Sequence, residues 1–368
     1  MFFKNPYKFL FVGICILTIK TKTMKKLNAI KILGLMAFST ILFNSCSDDD
    51  NNDVMNSDPV VVSSTKLYTS NNSDGNVTIY DVSDMSNVQT TTLVTSSLAA
   101  DGIYYDSSSD AVFQASRTDF ALEGFLDIST VSTGATVSVD VSGSADMISP
   151  REVAVNGDFY VVADNSDADG DTATPDGRLY VYQKSGTSFT LRNTITTDFK
   201  LWGITFIGND LYAIVDTTNE LAVYTNFLSN TSDATMSASK RIAVEGIVRT
   251  HGLTYDAGSN TMVLTDIGDA ASGTDGGFHI VSNFMSKFNA TANGGTLALT
   301  EQIRVAGSNT MLGNPVDVAY DGETETVFIA EAKNASILAF TNISSGGNIA
   351  PVLNNTLVSA SAVYLSKS

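Results

Sequence analysis

Repetition constrains this chain more than any other feature of its sequence. The stretch Gly313 to Phe340, GNPVDVAYDGETETVFIAEAKNASILAF, recurs in degenerate form about once every fifty residues. It reads as three short strands. An alternating run (Val316, Val318, Tyr320) leads to a turn at Asp321 and Gly322. A β-rich run from Val327 to Ala330 ends in an acid and a polar turn, and a third strand follows from Ile337 to Phe340. One such unit cannot bury its own apolar face, whereas a ring of them can.

The second strands end at Asn71, Ser116, Asp164, Asp216, Asp266 and Glu331, at intervals of 45, 48, 52, 50 and 65 residues. These intervals fit four-stranded propeller blades with one longer insertion before the last. Third strands are expected at Val77 to Tyr80, Gly124 to Ile128, Leu179 to Tyr182, Leu221 to Tyr224, Phe278 to Val281 and Ile337 to Phe340. Weaker fourth strands are expected at Ala135 to Val139, Phe189 to Ile195 and Arg241 to Val244. Lys66 opens the domain directly with a second strand, and the missing first strand is Ser361 to Leu365, SAVYL, which is similar to GIYYD and GLTYD elsewhere. The expectation is an all-β, six-bladed β-propeller over residues 64–368, closed by a C-terminal strand that completes the N-terminal blade and leaves no open sheet edge.

Residues 1–45 carry seven Lys and no acid, with apolar runs at Phe9 to Ile19 and Ile30 to Phe43 that are too short for a membrane span. From Met24 the order is a basic segment, an apolar segment and Phe43-Asn44-Ser45-Cys46. This resembles a bacterial lipoprotein signal, in which cleavage leaves a Cys that is acylated. The resemblance implies that Met24 is the true start and Cys46 the lipidated residue. Residues 46–63, opening Cys-Ser-Asp-Asp-Asp-Asn-Asn-Asp, read as a solvated acidic tether. Acid next to the lipidated Cys also resembles the export signal of surface lipoproteins in Bacteroidetes-type bacteria, implying an outer-membrane lipoprotein displayed at the cell surface; a plain periplasmic spacer is the other reading. Without residues 1–45 the chain has 14 Lys and Arg against 39 Asp and Glu, a formal charge of −25, which argues against nucleic acid and anionic lipid as partners. Only Cys46 then remains, so no disulfide or thiol chemistry serves the folded part.

The Gly313 to Phe340 unit resembles the NHL repeat: Pro315 near the first strand, an apolar second strand ending in an acid, and an Asn two to three residues on (Glu331 and Asn334; Asp216 and Asn219). The units ending at Asn71 and Ser116 lack the acid. What the resemblance implies is the six-bladed fold. The wider group holds lyases, gluconolactonase-like hydrolases and binding scaffolds, so fold alone selects no function.

In a propeller the first strands line the central channel, and the repeat register therefore says which residues meet at its mouth. Asp101, Arg151, Trp202, His251, Val316 and Ser361 share the position just before each inner strand, with Glu152 and Asp317 one step further in. One reading is a ligand pocket at that mouth, with Trp202 as a stacking platform for a glycan or a contact for a partner protein of an outer-membrane assembly, and Arg151 as a polar contact. The other is that Arg151 neutralises Asp101, Glu152 or Asp317 while Trp202 packs between blades. The loop Asn165 to Asp176, NSDADGDTATPD, places oxygen ligands at Asn165, Asp167, Asp169, Asp171 and Asp176 around a turn-forming Gly170, which resembles a calcium loop with Asn in first place and Asp in last. Calcium is the one cofactor expected. The acids that end second strands recur blade by blade and read as acceptors for backbone N–H groups.

Enzyme signatures are missing: two His cannot build a three-His zinc site, and no nucleophile elbow or phosphate loop occurs. The gluconolactonase-like group places a Glu, an Asn and Asp residues around a channel metal. Glu152, Asn314 and Asp101 or Asp317 stand where those roles could fall, but no motif compels them. The preferred reading is a non-enzymatic, surface-anchored binding lipoprotein; the alternatives are a metal-dependent hydrolase or lyase, and a scaffold with no small-molecule site.

Overall fold

A computed structural model describes residues 64–368. The signal, Met24, Cys46 and the tether lie outside the described residues. Six antiparallel sheets of at least four strands each follow one another along the chain. Blade I combines Ala360–Lys367, Thr65–Asn71, Val77–Asp81 and Gln89–Leu93; the C-terminal strand pairs with Thr65–Asn71 in register from Thr65 opposite Lys367, so the ring closes as the repeat count requires. The inner strands of blades II to VI are Ala100–Asp106, Pro150–Asn156, Leu201–Ile207, Leu253–Asp256 and Pro315–Asp321. Among the described residues the one α-helix, Phe284–Ala290, lies in the insertion that lengthens blade V.

The apolar alternation explains the packing. Successive side chains of a strand point to opposite faces, and each face meets the next blade. The core is accordingly six interblade clusters. Leu67, Phe328 and Ile337 join blades VI and I, for example, and Leu211, Val161 and Leu179 join III and IV.

Outer edges receive separate protection. The segment leading to the fourth strand of blade IV adds Ala234–Met236 in parallel to the edge of blade III, and that of blade V adds Thr296–Leu297 to blade IV. Single parallel bridges at Val94 to Thr136 and Val305 to Gly347 do the same for blades I and V. Unpaired edge N–H and C=O groups are thereby covered.

The third strand of blade II departs from expectation. It runs Ala121–Phe125, and Ile128 belongs to a 3₁₀ turn behind Asp127 at φ 52°. Asn226, Asn283 and Asn342 hold the same left-handed position in blades IV, V and VI, each followed by a buried Phe227, Phe284 or Ile343. A buried apolar residue after a left-handed Asn or Asp imitates one more strand residue, which displaced the reading of this strand by three positions. The paired fourth strand of this blade is likewise Val141–Ser142, beyond the Ala135 to Val139 run.

Candidate functional site

The shared position before the inner strands brings four side chains together across four consecutive blades. Asp101 of blade II is buried and accepts hydrogen bonds from Arg151 Nη1 at 3.0 Å and Asn72 Nδ2 at 2.7 Å, with Arg117 Nε 3.7 Å away. The Arg151 guanidinium lies 4.2 Å from the ring centroid of Trp202. Trp202 in turn stacks on His251 with centroids 3.6 Å apart and planes within 2°. Two groups this close to one ring can share a face only by overlapping, so Arg151 and His251 fill both faces of the indole.

His251 is buried, and its Nε2 lies 3.2 Å from Asp216 Oδ1. Burial pushes the imidazole below its ordinary pKa, outweighing the nearby Asp216. Burial alone would raise Asp216, but the His251 ring and the Thr217 N–H hold it below the usual carboxylate range. The result is a roof across the channel, running Arg117, Asp101, Arg151, Trp202, His251, Asp216. Val316 and Ser361 complete the ring as small members; Ser361 Oγ donates to the Ala100 carbonyl at 2.5 Å. His279 is elsewhere, fully buried on a third strand with Nδ1 2.7 Å from Gln302 Oε1.

One residue further in, the six positions are Gly102, Glu152, Gly203, Gly252, Asp317 and Ala362. The glycines permit close backbone approach. A Cβ on Gly102 would sit 2.7 Å from the Val153 nitrogen, and one on Gly252 would sit 2.5 Å from the Asp317 Cα. Blades III and VI are opposite members of a six-blade ring, so Glu152 and Asp317 face one another across the neck. Glu152 Oε1 accepts the Val153 N–H at 2.8 Å and Asp317 Oδ2 accepts the Val363 N–H at 2.7 Å. Burial, and then Asp317, push Glu152 well above the carboxylate range; burial pushes Asp317 up to about 7. Below this neck the channel encloses about 850 Å³, lined by all six inner strands and running toward the turns at Asp256 and Asp321.

In the blade III loop, Asp167, Asp169 and Asp176 come close enough for one oxygen of each to reach a common ion. Asp171 is not in this group, and Asn165 Nδ2 turns away toward Asp216 at 3.5 Å. Among the described residues this is the one group of three or more acid, His or Cys ligands so placed; Asp101, Glu152 and Asp317 do not converge in that way.

The recurring strand-end acids do what recurrence implies. Asp164 accepts the N–H groups of Ile148, Ser149 and Ser166, and Glu331 those of Gly313, Asn314, Lys333 and Asn334. Each acid ties its own turn to the loop leading into the inner strand. Asn71 and Ser116 take over the turn-holding part in blades I and II, accepting from Asp74 and Asp119.

Sequence reasoning missed the residues three positions before the roof. Leu98, Ile148, Val248 and Val358 occupy equivalent places, and each is between 55% and 68% exposed. Blade IV has buried Phe199 there. Blade VI has Gly313, with exposed Met311 two residues earlier. Exposed Phe120 joins them from the blade II turn. The repeat register that aligned the roof would have aligned these also, since they stand at one fixed offset from it.

Together these elements define a six-bladed β-propeller with a roofed channel. No known family matches the sequence, and no curated protein does either. The fold is similar to one in a crystal structure of a nidogen/laminin complex, at 13% identity and a TM-score of 0.54 over 82% of this chain and 98% of that one. It is also similar to a putative 6-phosphogluconolactonase from Bacteroides fragilis NCTC 9343, at 9% identity and a TM-score of 0.55 over 84% of this chain and all of that one. At these identities the likeness is one of fold.

Proposed function

We propose that this chain is an NHL-like, surface-anchored outer-membrane lipoprotein whose propeller is a binding module, and that it engages a partner protein on the roofed face of the channel. The observation that carries this reading is the set of outward apolar residues at one repeat position. Single exposed apolar side chains are ordinary, but Leu98, Ile148, Val248 and Val358 recur at the same offset and project from the same face. Because Arg151 and His251 occupy both faces of Trp202, the indole offers no free platform, which favours a protein over a glycan. Acids among the same loops, including Asp119, Asp146 and Asp269, suit a partner with a basic rim.

The test is site-specific photo-crosslinking in cells expressing the full chain. A crosslinker at Ile148 or Val248 is expected to trap one partner, which the Leu98→Ser/Val358→Ser variant loses, while a crosslinker at Asp256 on the opposite face traps none. Equal trapping from both faces, or none, would count against the reading. Under the same proposal Cys46 carries the lipid, and calcium binds the loop through Asp167, Asp169 and Asp176 with backbone oxygens and water completing its shell.

A further inference from the structure

We propose that the channel below the roof is a second binding site, open on the face opposite the roof, for a small organic cation: an amine or guanidinium on an apolar or aromatic body.

The neck supplies the charge. Of its six positions three are Gly and one is Ala, so Glu152 and Asp317 are the two side chains that reach into it, from opposed blades. No base compensates them. Arg151, adjacent in sequence to Glu152, is turned to Asp101 and Trp202. Among the described residues the channel lining holds a single base, Lys367, at the far end. It is already bonded to Asp321 Oδ1 at 2.8 Å and Glu323 Oε2 at 2.6 Å. Two facing carboxyls without a counter-ion are costly in the empty channel and favourable around a cation.

The walls supply the rest of the recognition. Tyr104, Phe206, Tyr255, Tyr320 and Tyr364 line the cavity, each half-buried and packed in part against an interblade cluster. Tyr104 and Tyr364 meet edge to face at 4.9 Å, which fixes both rings. Aromatic faces attract a cation and cover the body that carries it. A bare metal ion leaves this space unused, because about 850 Å³ falls in the range of roughly 300–1,000 Å³ that suits small molecules, and two carboxyls are too few ligands. A small anion would meet Glu152, Asp317, Asp256, Asp321 and Glu323 against one lysine. This site lies apart from the docking face, and either can fail without the other.

The experiment is calorimetric titration of the full chain in a neutral detergent at pH 8, with tyramine and agmatine as cations and 3-(4-hydroxyphenyl)propionate as the matched anion. Both cations, or one of them, are expected to bind, and the anion is not. Glu152→Gln and Asp317→Asn should each weaken binding at least tenfold, and the double variant should abolish it. The amides are isosteric and carry no charge for burial to oppose, so the variants are expected to melt no lower than the parent at pH 8. Leu98→Ser on the other face should leave affinity unchanged. No binding of either cation at millimolar concentration, equal binding of the anion, or binding retained in the double variant would overturn the proposal.

Discussion

Arg151 and Glu152 are neighbours in the chain, as are Val316 and Asp317, yet the two layers to which they contribute have opposite characters. In the roof every charge has an answer. Asp101 meets Arg151, Arg151 and His251 sandwich Trp202, and His251 abuts Asp216. In the neck, one step inward, two carboxyls face each other with only backbone N–H donors for company. The inner strands carry a register shift at this point, between Pro150 and Val153 and between Pro315 and Asp317, and such a bulge re-aims side chains, so adjacency in sequence says nothing of shared role. The roof is a structural plug that closes one face, and the neck sets two carboxyls without a counter-ion at the blind end of a cavity open to the other.

The comparison breaks most visibly if the roof is cut. Replacing Arg151 by Ala strips the buried Asp101 of its nearest cation and opens one face of Trp202; loss of a buried partner costs about 3 kcal/mol or more. Trp202→Ala removes the middle of the stack and should cost roughly 3 kcal/mol. Both are read from denaturant unfolding of the variants. If either changed stability by less than about 1 kcal/mol, the roof would be ornament rather than plug.

The neck responds in the reverse sense and depends on pH. Asp317 has an ordinary value of 3.8 and stands at about 7 in the folded chain. Between those values the folded state holds a proton that the unfolded state has released, so stability falls as pH rises from about 4 to 7 and levels off above. Asp317→Asn should flatten that slope and raise the melting temperature at pH 8, where Arg151→Ala lowers it. A residual slope is expected from Glu123, which burial, and then Asp119, push up to about 7 at the I–II interface. An unchanged pH profile in Asp317→Asn would show that the neck carboxyl is not protonated in the fold.

Much of this was legible in the sequence because periodicity is a property of many residues at once. The spacing of Asp164, Asp216 and Asp266 gave the blades, and SAVYL gave the closure, since a ring one inner strand short must find it at the other end. The roof was legible as a set, because a single register aligned Asp101, Arg151, Trp202 and His251. What they do to each other was not: whether an indole face is free or covered depends on the rotamers of its neighbours. Nor was the separation of Glu152 and Asp317 from the layer above, although the glycines after Asp101, Trp202 and His251 mark it in hindsight. Asp216 was read with the other strand-end acids as a holder of backbone N–H groups. It keeps one of those, from Thr217, on the same oxygen, Oδ1, that lies against His251 Nε2.

The blade III loop poses the neck's problem in the open, and it gives the smallest of the expected effects. Asp167, Asp169 and Asp176 gather oxygens within reach of one ion, but Asp169 is exposed to water, Asp167 and Asp176 are only half-buried, and local N–H groups already serve them: Gly170 donates to Asp167 at 2.6 Å and Asp171 to Asp169 at 2.8 Å. Like charges there cost little when empty, so calcium gains less than a cation in the neck and stabilises chiefly by mass action, about 2.7 kcal/mol at a hundredfold excess over its dissociation constant. Thermal melts of the full chain should therefore rise with millimolar calcium and not with magnesium, whose small octahedral shell fits such a loop poorly. Asp169→Asn should remove the rise, whereas Asp171→Asn, outside the cluster, should keep it. A calcium effect that survived Asp169→Asn, or that vanished with Asp317→Asn instead, would move the ion from the loop to the neck and erase the contrast between screened and unscreened carboxyls.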